Sequence, residues 1–113
     1  MTKKIFFTLI LLIISISVFS QNYSVVENAV GLKGYVNSQN QLIIPNKYSF
    51  AGDFIDNLAI VKLEDKFGVI NTKDETIIPF EYDAIELLDN GLYKVSKKNK
   101  ELILNKKGKI VKN

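Results

Sequence analysis

Beyond residue 20 the chain alternates short apolar runs with polar turns, and no stretch keeps apolar residues at a helical period for long. "LAIVKL" (58–63), "FGVIN" (67–71) and "TIIP" (76–79) are β-branched or apolar runs separated by Glu64-Asp65 and Thr72-Lys73-Asp74. Such runs, bounded by turn residues, predict antiparallel strands joined by hairpins. Pro79 lacks an N–H and fixes its own φ, so the ladder is predicted to end there. "FEYDAIELLDNG" (80–91) reads as a looser connection, and its best helical candidate, Tyr82–Leu88, is long enough only for a loop or a single turn.

The pattern repeats without a gap at a spacing of 34 residues. Gly34-Tyr35-Val36-Asn37 falls on Gly68-Val69-Ile70-Asn71 and then on Leu102-Ile103-Leu104-Asn105, while "LIIPNKY" (42–48) falls on "TIIPFEY" (76–82). A fixed period with matched apolar and turn positions marks a repeat architecture. With "SVVEN" (24–28) closing an incomplete leading unit and "KIVK" (109–112) as the last strand, the expectation is an all-β fold. It comprises tandem 34-residue repeats of three short antiparallel strands, about nine strands in a hairpin or meander array, with no significant helix. The units are 22–55, 56–89 and 90–113, within one domain spanning 21–113.

Turn chemistry supports the alignment. Asn37, Asn71 and Asn105 are followed three residues later by Asn40, Asp74 and Gly108, types that tolerate positive φ. Gly31, Asp65 and Asn99 form a second slot, and Asn57 and Gly91 a third. Val36/Ile70/Leu104, Ile43/Ile77/Val111 and Val61/Val95 are apolar in every unit and are expected to face the core. Lys33/Phe67/Glu101 and Ile60/Lys94 are mixed, as expected of an outward face. One unit cannot bury its own apolar face, so neighbours must stack.

Residues 1–20 change the picture of location. Lys3 and Lys4 precede a charge-free apolar run from Ile5 to Ser20, and Val18 and Ser20 suit the −3 and −1 positions of a cleavage site before Gln21. That is the layout of a secretory signal. An uncleaved anchor is the competing reading, but the run is shorter than the roughly 20 residues that span a bilayer comfortably. With no Cys near the cut, a lipoprotein is not expected, and the mature protein is predicted to be secreted or periplasmic.

Composition excludes more than it suggests. The chain has no Cys, His, Trp or Arg, so the usual general base, the thiol nucleophile and the nitrogen or sulfur ligands of zinc are missing. No catalytic residue, metal site or cofactor is expected. Charge is unevenly spread: residues 21–91 carry a net −6, and residues 92–113 a net +7.

The stretch "YSFAGDFIDNLAIVKLEDKFGVINTKDETIIPFEYDA" (48–84) resembles the WG-repeat proteins of bacteria. Tyr48, Phe54, Leu58, Ala59, Val61, Lys66, Gly68, Ile70, Ile77, Ile78, Pro79, Tyr82 and Asp83 fall on that pattern. The signature Trp is replaced by Lys33, Phe67 and Glu101, and the third Gly by Leu102. The resemblance implies an all-β repeat, often exported and not known as a catalytic class.

Three residue sets are candidates for contact. Lys97, Lys98, Lys100, Lys106, Lys107 and Lys109 could form a basic surface for an anionic glycan or a protein, or guard an edge strand against aggregation. Nucleic acid is not expected, because Arg is absent and only Tyr93 accompanies these lysines. Tyr35, Tyr48, Phe67 and Tyr82 could stack on a ligand or plug the core. Asp53, Asp56, Glu81, Asp83, Glu86 and Asp89 line the long loops, but no carboxylate set recurs between units. The expectation is an exported, non-catalytic β-repeat module that binds a protein or envelope component. A small inhibitor-like protein and an anionic-glycan binder compete with it, and a carboxylate-dependent hydrolase is the least favoured reading. The edges at 24–28 and 109–112 also make a homodimer conceivable.

Overall fold

The computed structural model describes residues 22–112; the predicted signal segment and Asn113 lie outside the described residues. Among the described residues there is no helix, and eleven strands form three antiparallel meander sheets. The first sheet holds β1 (Ser24–Glu27), β2 (Lys33–Val36) and β3 (Leu42–Tyr48). The second holds β4 (Phe50–Ala51), β5 (Leu58–Leu63), β6 (Lys66–Asn71) and β7 (Thr76–Tyr82). The third holds β8 (Ala84–Leu87), β9 (Tyr93–Lys97), β10 (Lys100–Leu104) and β11 (Ile110–Lys112). The chain passes from sheet to sheet at Ser49 and Asp83.

Two strands were not expected from the sequence. β4 and β8 arise from the stretches read as loose connections, and each pairs with the strand that follows it: Phe50 with Lys62, and Ile85 with Val95. The helical candidate at Tyr82–Leu88 is therefore largely β8. Nor do Pro45 and Pro79 end their ladders, since β3 and β7 run on to Tyr48 and Tyr82. Both prolines sit on edge strands, where a missing N–H is harmless, and at a bulge. The bulge presses β7 onto Gly68, where a Cβ would come 2.7 Å from the Ile78 carbonyl oxygen and from the Phe80 ring. Gly34 holds the same place against Ile44 and Pro45.

The asparagine turns form as the sequence predicts. Asn37 Oδ1 accepts from the N–H groups of Gln39 and Gln41, Asn71 Oδ1 from Lys73 and Glu75, and Asn105 Oδ1 from Lys107 and Lys109. Asn40, Asp74 and Gly108 then take φ of 64°, 63° and 80°. Asn28 builds a fourth such turn with Gly31 at φ 88°. In the second slot Gly31 and Asn99 take φ of 88° and 65° as expected, and only in the middle unit does the positive φ fall on Glu64 instead of Asp65.

That fourth turn has a consequence for register. β5–β6 and β9–β10 close through the short turns Glu64-Asp65 and Lys98-Asn99 and keep the 34-residue relation, with Val61 opposite Gly68 and Val95 opposite Leu102. β1–β2 closes through the longer Asn28 turn and is slipped by one residue, so Val25 pairs with Tyr35. A slip of one moves every side chain of β1 to the other face, and Val25 thereby packs into the core.

Two cores lie between the sheets. Tyr35, Ile44 and Tyr48 of the first sheet meet Ala59, Val61 and Ile70 of the second. Val69, Ile78 and Tyr82 of the second meet Tyr93, Val95 and Leu104 of the third. Each member of the second core is the residue 34 positions beyond a member of the first. The middle sheet is thus buried on both faces, and a single inward face, as expected from the sequence, does not describe it. Ile44 and Ile78 are fully buried, whereas Ile43 and Ile77 are only half-buried and Val111 is half exposed. The far face of the third sheet is polar: Lys94, in the place of Ile60, pairs with Glu86 at 3.3 Å and Glu101 at 4.0 Å.

Candidate binding cleft

The second and third sheets do not close fully on each other. Between β4 and β8 an open cleft of about 350 Å³ is lined by Phe50, Gly52, Asp53, Ile55, Leu58, Ile60 and Phe67 of the second sheet and by Ile85, Leu87 and Tyr93 of the third. Alternation explains the lining: Phe50, Lys62 and Phe67 share one row across the sheet, and Ile60 and Val69 the next. The rings of Phe50 and Phe67 meet edge to face at 5.8 Å, and Lys62 Nζ lies 5.1 Å from the Phe67 ring centre. Phe50 is 45% exposed and Ile55 53%, so apolar surface is open to solvent here. A smaller cavity of about 130 Å³ adjoins it, sharing Ile55, Leu87 and Tyr93.

The first intersheet space is filled where the second is open. Phe54 packs 4.6 Å from Tyr35 and 5.4 Å from Tyr23. Lys33, in the place of Phe67, turns its ammonium to the carbonyls of Gly31 and Ser49. The positions 34 residues beyond Tyr23, Tyr35 and Phe54 are Asn57, Val69 and Leu88. Three rings become one amide and two aliphatic chains; although Ala51 and Ala59 in turn become Ile85 and Tyr93, the ring cluster of Tyr23, Tyr35 and Phe54 has no counterpart in the second space. This difference was legible in the sequence as rings placed at different positions in successive units, but only once the two interfaces were known.

The aromatic candidates separate. Tyr35 and Tyr48 are 0% and 2% exposed and Tyr82 is 8% exposed, so these rings fill cores and are not open platforms. Burial, first of all, raises their phenol pKa values above the usual tyrosine range, with Asp53 adding to the effect at Tyr35 and Asp74 at Tyr48. The Tyr35 hydroxyl donates to the Gly52 carbonyl at 2.5 Å. Phe67, at the signature position, is the one aromatic candidate that reaches the cleft.

The six candidate lysines do not form one patch. Lys97, Lys98 and Lys100 cluster around the β9–β10 turn, and Lys106, Lys107 and Lys109 around the β10–β11 turn at the other end of the strand. Acidic residues of the middle sheet meet both groups: Glu81, read as a loop residue from the sequence, lies in β7, and Asp56 in the turn before β5. Lys97 lies 3.9 Å from Glu81, and Lys106 lies 3.2 Å from Asp56. The Asp83 carboxylate accepts from Lys66 and from the Lys98 N–H, and the Lys66 bond chiefly holds its pKa below the usual carboxylate value. The opposite charges of the two chain segments are thereby set against each other. Among the described residues no group of three or more Asp or Glu is placed to hold a metal ion. β1 and β11, the strands considered for self-pairing, do lie at sheet edges.

A family model described as WG containing repeat matches residues 34–67 and 67–100 in tandem. No curated protein and no solved structure gives a significant match.

Proposed function

Because the chain belongs to the WG containing repeat family, we propose that it is an exported, non-catalytic module that binds a protein or a cell-envelope component. The observation that carries this reading is the cleft between β4 and β8, an apolar concavity with exposed Phe50 and Ile55, whereas in the other intersheet space Tyr23, Tyr35 and Phe54 pack together. Exposed apolar surface of this kind marks interaction sites. The lining offers one carboxylate, Asp53, and one phenol, Tyr93, set among aliphatic and aromatic side chains, which suits holding a ligand better than turning one over. Export rests on the Lys3-Lys4 start and the apolar run to Ser20. Binding of an anionic glycan through the lysines has less support, because those side chains divide between two ends of β10 and part of their charge is already paired.

The test uses the full chain carrying a C-terminal tag, expressed in a bacterial host. The expected product appears outside the cytoplasm with Gln21 as its first residue, and cross-linking yields one discrete complex that Phe50→Lys removes. A product that keeps Met1 in the cytoplasm would defeat export. A complex indifferent to Phe50→Lys would defeat the cleft as the binding surface.

A further inference from the structure

We propose that the cleft receives an extended segment of a partner protein, apolar at alternate positions and carrying a lysine or arginine, which adds as a strand to the free edge of β8. The inference deepens the binding-module reading and rests on it. Three observations carry it.

First, β4 and β8 are the outermost strands of their sheets, and both border the same cleft. An edge strand presents unpaired N–H and C=O groups that an added strand can satisfy. Ile85 and Leu87 alternate along β8 with their side chains in the cleft lining. A strand laid beside β8 would deliver every second side chain to the same space.

Second, the volume suits side chains. About 350 Å³ lies near the bottom of the roughly 300–1,000 Å³ range of small-molecule pockets. Phe50, Phe67 and Tyr93 give it an aromatic lining that suits branched or aromatic groups.

Third, the charge is uncompensated on one side. Asp53 stands exposed in the lining, and among the described residues no lysine lies within ion-pair distance of it, whereas Glu86 on β8 is held by Lys94. A cationic residue of the segment, placed next to an apolar one, would pair with Asp53 at the rim, where electrostatic complementarity selects the partner.

The experiment selects short linear peptides from a phage-displayed library on the purified full chain, then measures synthetic copies by fluorescence anisotropy. The expected peptides alternate apolar residues with Lys or Arg. Phe50→Lys and Asp53→Lys each weaken them about tenfold or more, with thermal unfolding like that of the unchanged protein. N-methylation of alternate backbone amides abolishes binding. Absence of enrichment, enrichment of acidic peptides, or binding indifferent to Phe50→Lys would overturn the proposal. Equal affinity for the N-methylated peptide would overturn strand addition, and hexylamine binding as tightly as the peptide would overturn it in favour of a small-molecule site. If selection fails while the cross-linked complex survives Phe50→Lys, this site is wrong and the binding-module reading stands on another surface. If no complex forms either, both fall.

Discussion

The hydroxyl of Tyr48 donates to the carboxylate of Asp74, tying the end of β3 to the turn between β6 and β7 in the next sheet. Lys47 Nζ reaches the same carboxylate at 2.5 Å. Asp74 also holds φ at 63°, the positive-φ position of the Asn71 turn. One residue therefore closes a hairpin and joins two repeats. In the next interface its place is taken by Gly108, whose backbone lies so close to the Ile77 carbonyl that a Cβ there would approach to 2.4 Å.

Replacements of Asp74 should separate these two tasks. Asp74→Asn keeps an oxygen for Tyr48 and tolerates the turn, so it should lose well under the 1.5–3 kcal/mol or so of a hydrogen bond to a charged group. Asp74→Gly keeps the turn and loses the tie. Asp74→Ala loses both and should be the worst of the three, at about 2–4 kcal/mol below the unchanged protein. Urea unfolding of the set checks the order. Equal losses for Asp74→Gly and Asp74→Ala would show that backbone strain at this turn is negligible.

Gly68 provides the second prediction. Its missing Cβ lets the Pro79 bulge cross β6, and any side chain would meet backbone and the Phe80 ring at 2.7 Å. Gly68→Ala should cost about 1–3 kcal/mol, in the range of overpacking. The same position in the third repeat is Leu102, which β10 accommodates because β11 pairs only with Ile103 and Leu104. Leu102→Ala should accordingly behave as an ordinary truncation of a half-buried side chain. Thermal unfolding of the two variants distinguishes a steric requirement from a merely apolar one.

These residues also show what a sequence can and cannot disclose. The 34-residue period and the asparagine turns were legible because each is a local matter of spacing and φ preference. β4 and β8 were not, since "FA" and "AIEL" are too short and mixed to declare themselves and exist as strands by pairing with β5 and β9. The slip of β1 depended on a loop length whose effect on register shows only in the partner strand. The cleft was hidden for the same reason: Leu88 and Val69 signify a missing ring cluster only when Phe54 and Tyr35 are known to pack together in the matching space.

Leu88→Phe tests that explanation. It restores to the second interface the ring that Phe54 supplies to the first, next to the cavity shared by Ile55, Leu87 and Tyr93. Filling the space should stabilise the protein by about 0.5–2 kcal/mol while reducing binding in the cleft. Unfolding midpoint and peptide affinity should move in opposite directions. A destabilised Leu88→Phe would mean that the second interface is already packed as closely as its backbone allows.

Acid should act through Asp83. Its carboxyl is held below its ordinary value, first by the hydrogen bond from Lys66 and next by the Lys98 N–H. A carboxylate whose folded pKa is lowered stabilises above its unfolded value of about 3.9, and that contribution is lost as pH falls through the lowered folded value. Asp83→Asn should therefore flatten the decline in stability below about pH 4 and lower stability slightly at neutral pH. Lys66→Met should have the same sense. Urea midpoints measured along the acid limb decide it, and an unchanged slope in Asp83→Asn would assign the acid response to other carboxylates.

Alkali should act on the cores themselves. Burial, ahead of any neighbouring charge, raises the phenol pKa of Tyr35, Tyr48, Tyr82 and Tyr93 above the ordinary value of 10.0. A raised folded pKa means that the stabilising contribution is whole below the unfolded value of about 10 and is lost as pH rises, because the unfolded chain releases protons that the folded one keeps. These four rings are shared between the two intersheet spaces, so their ionisation and the separation of the sheets should be one event. Tyrosinate absorbance from the buried set and loss of the strand signal in circular dichroism are expected to rise together above about pH 10. Tyrosinate appearing in full while the strand signal persists would show that the rings reach solvent without the sheets parting, and the cores would then be looser than their burial implies.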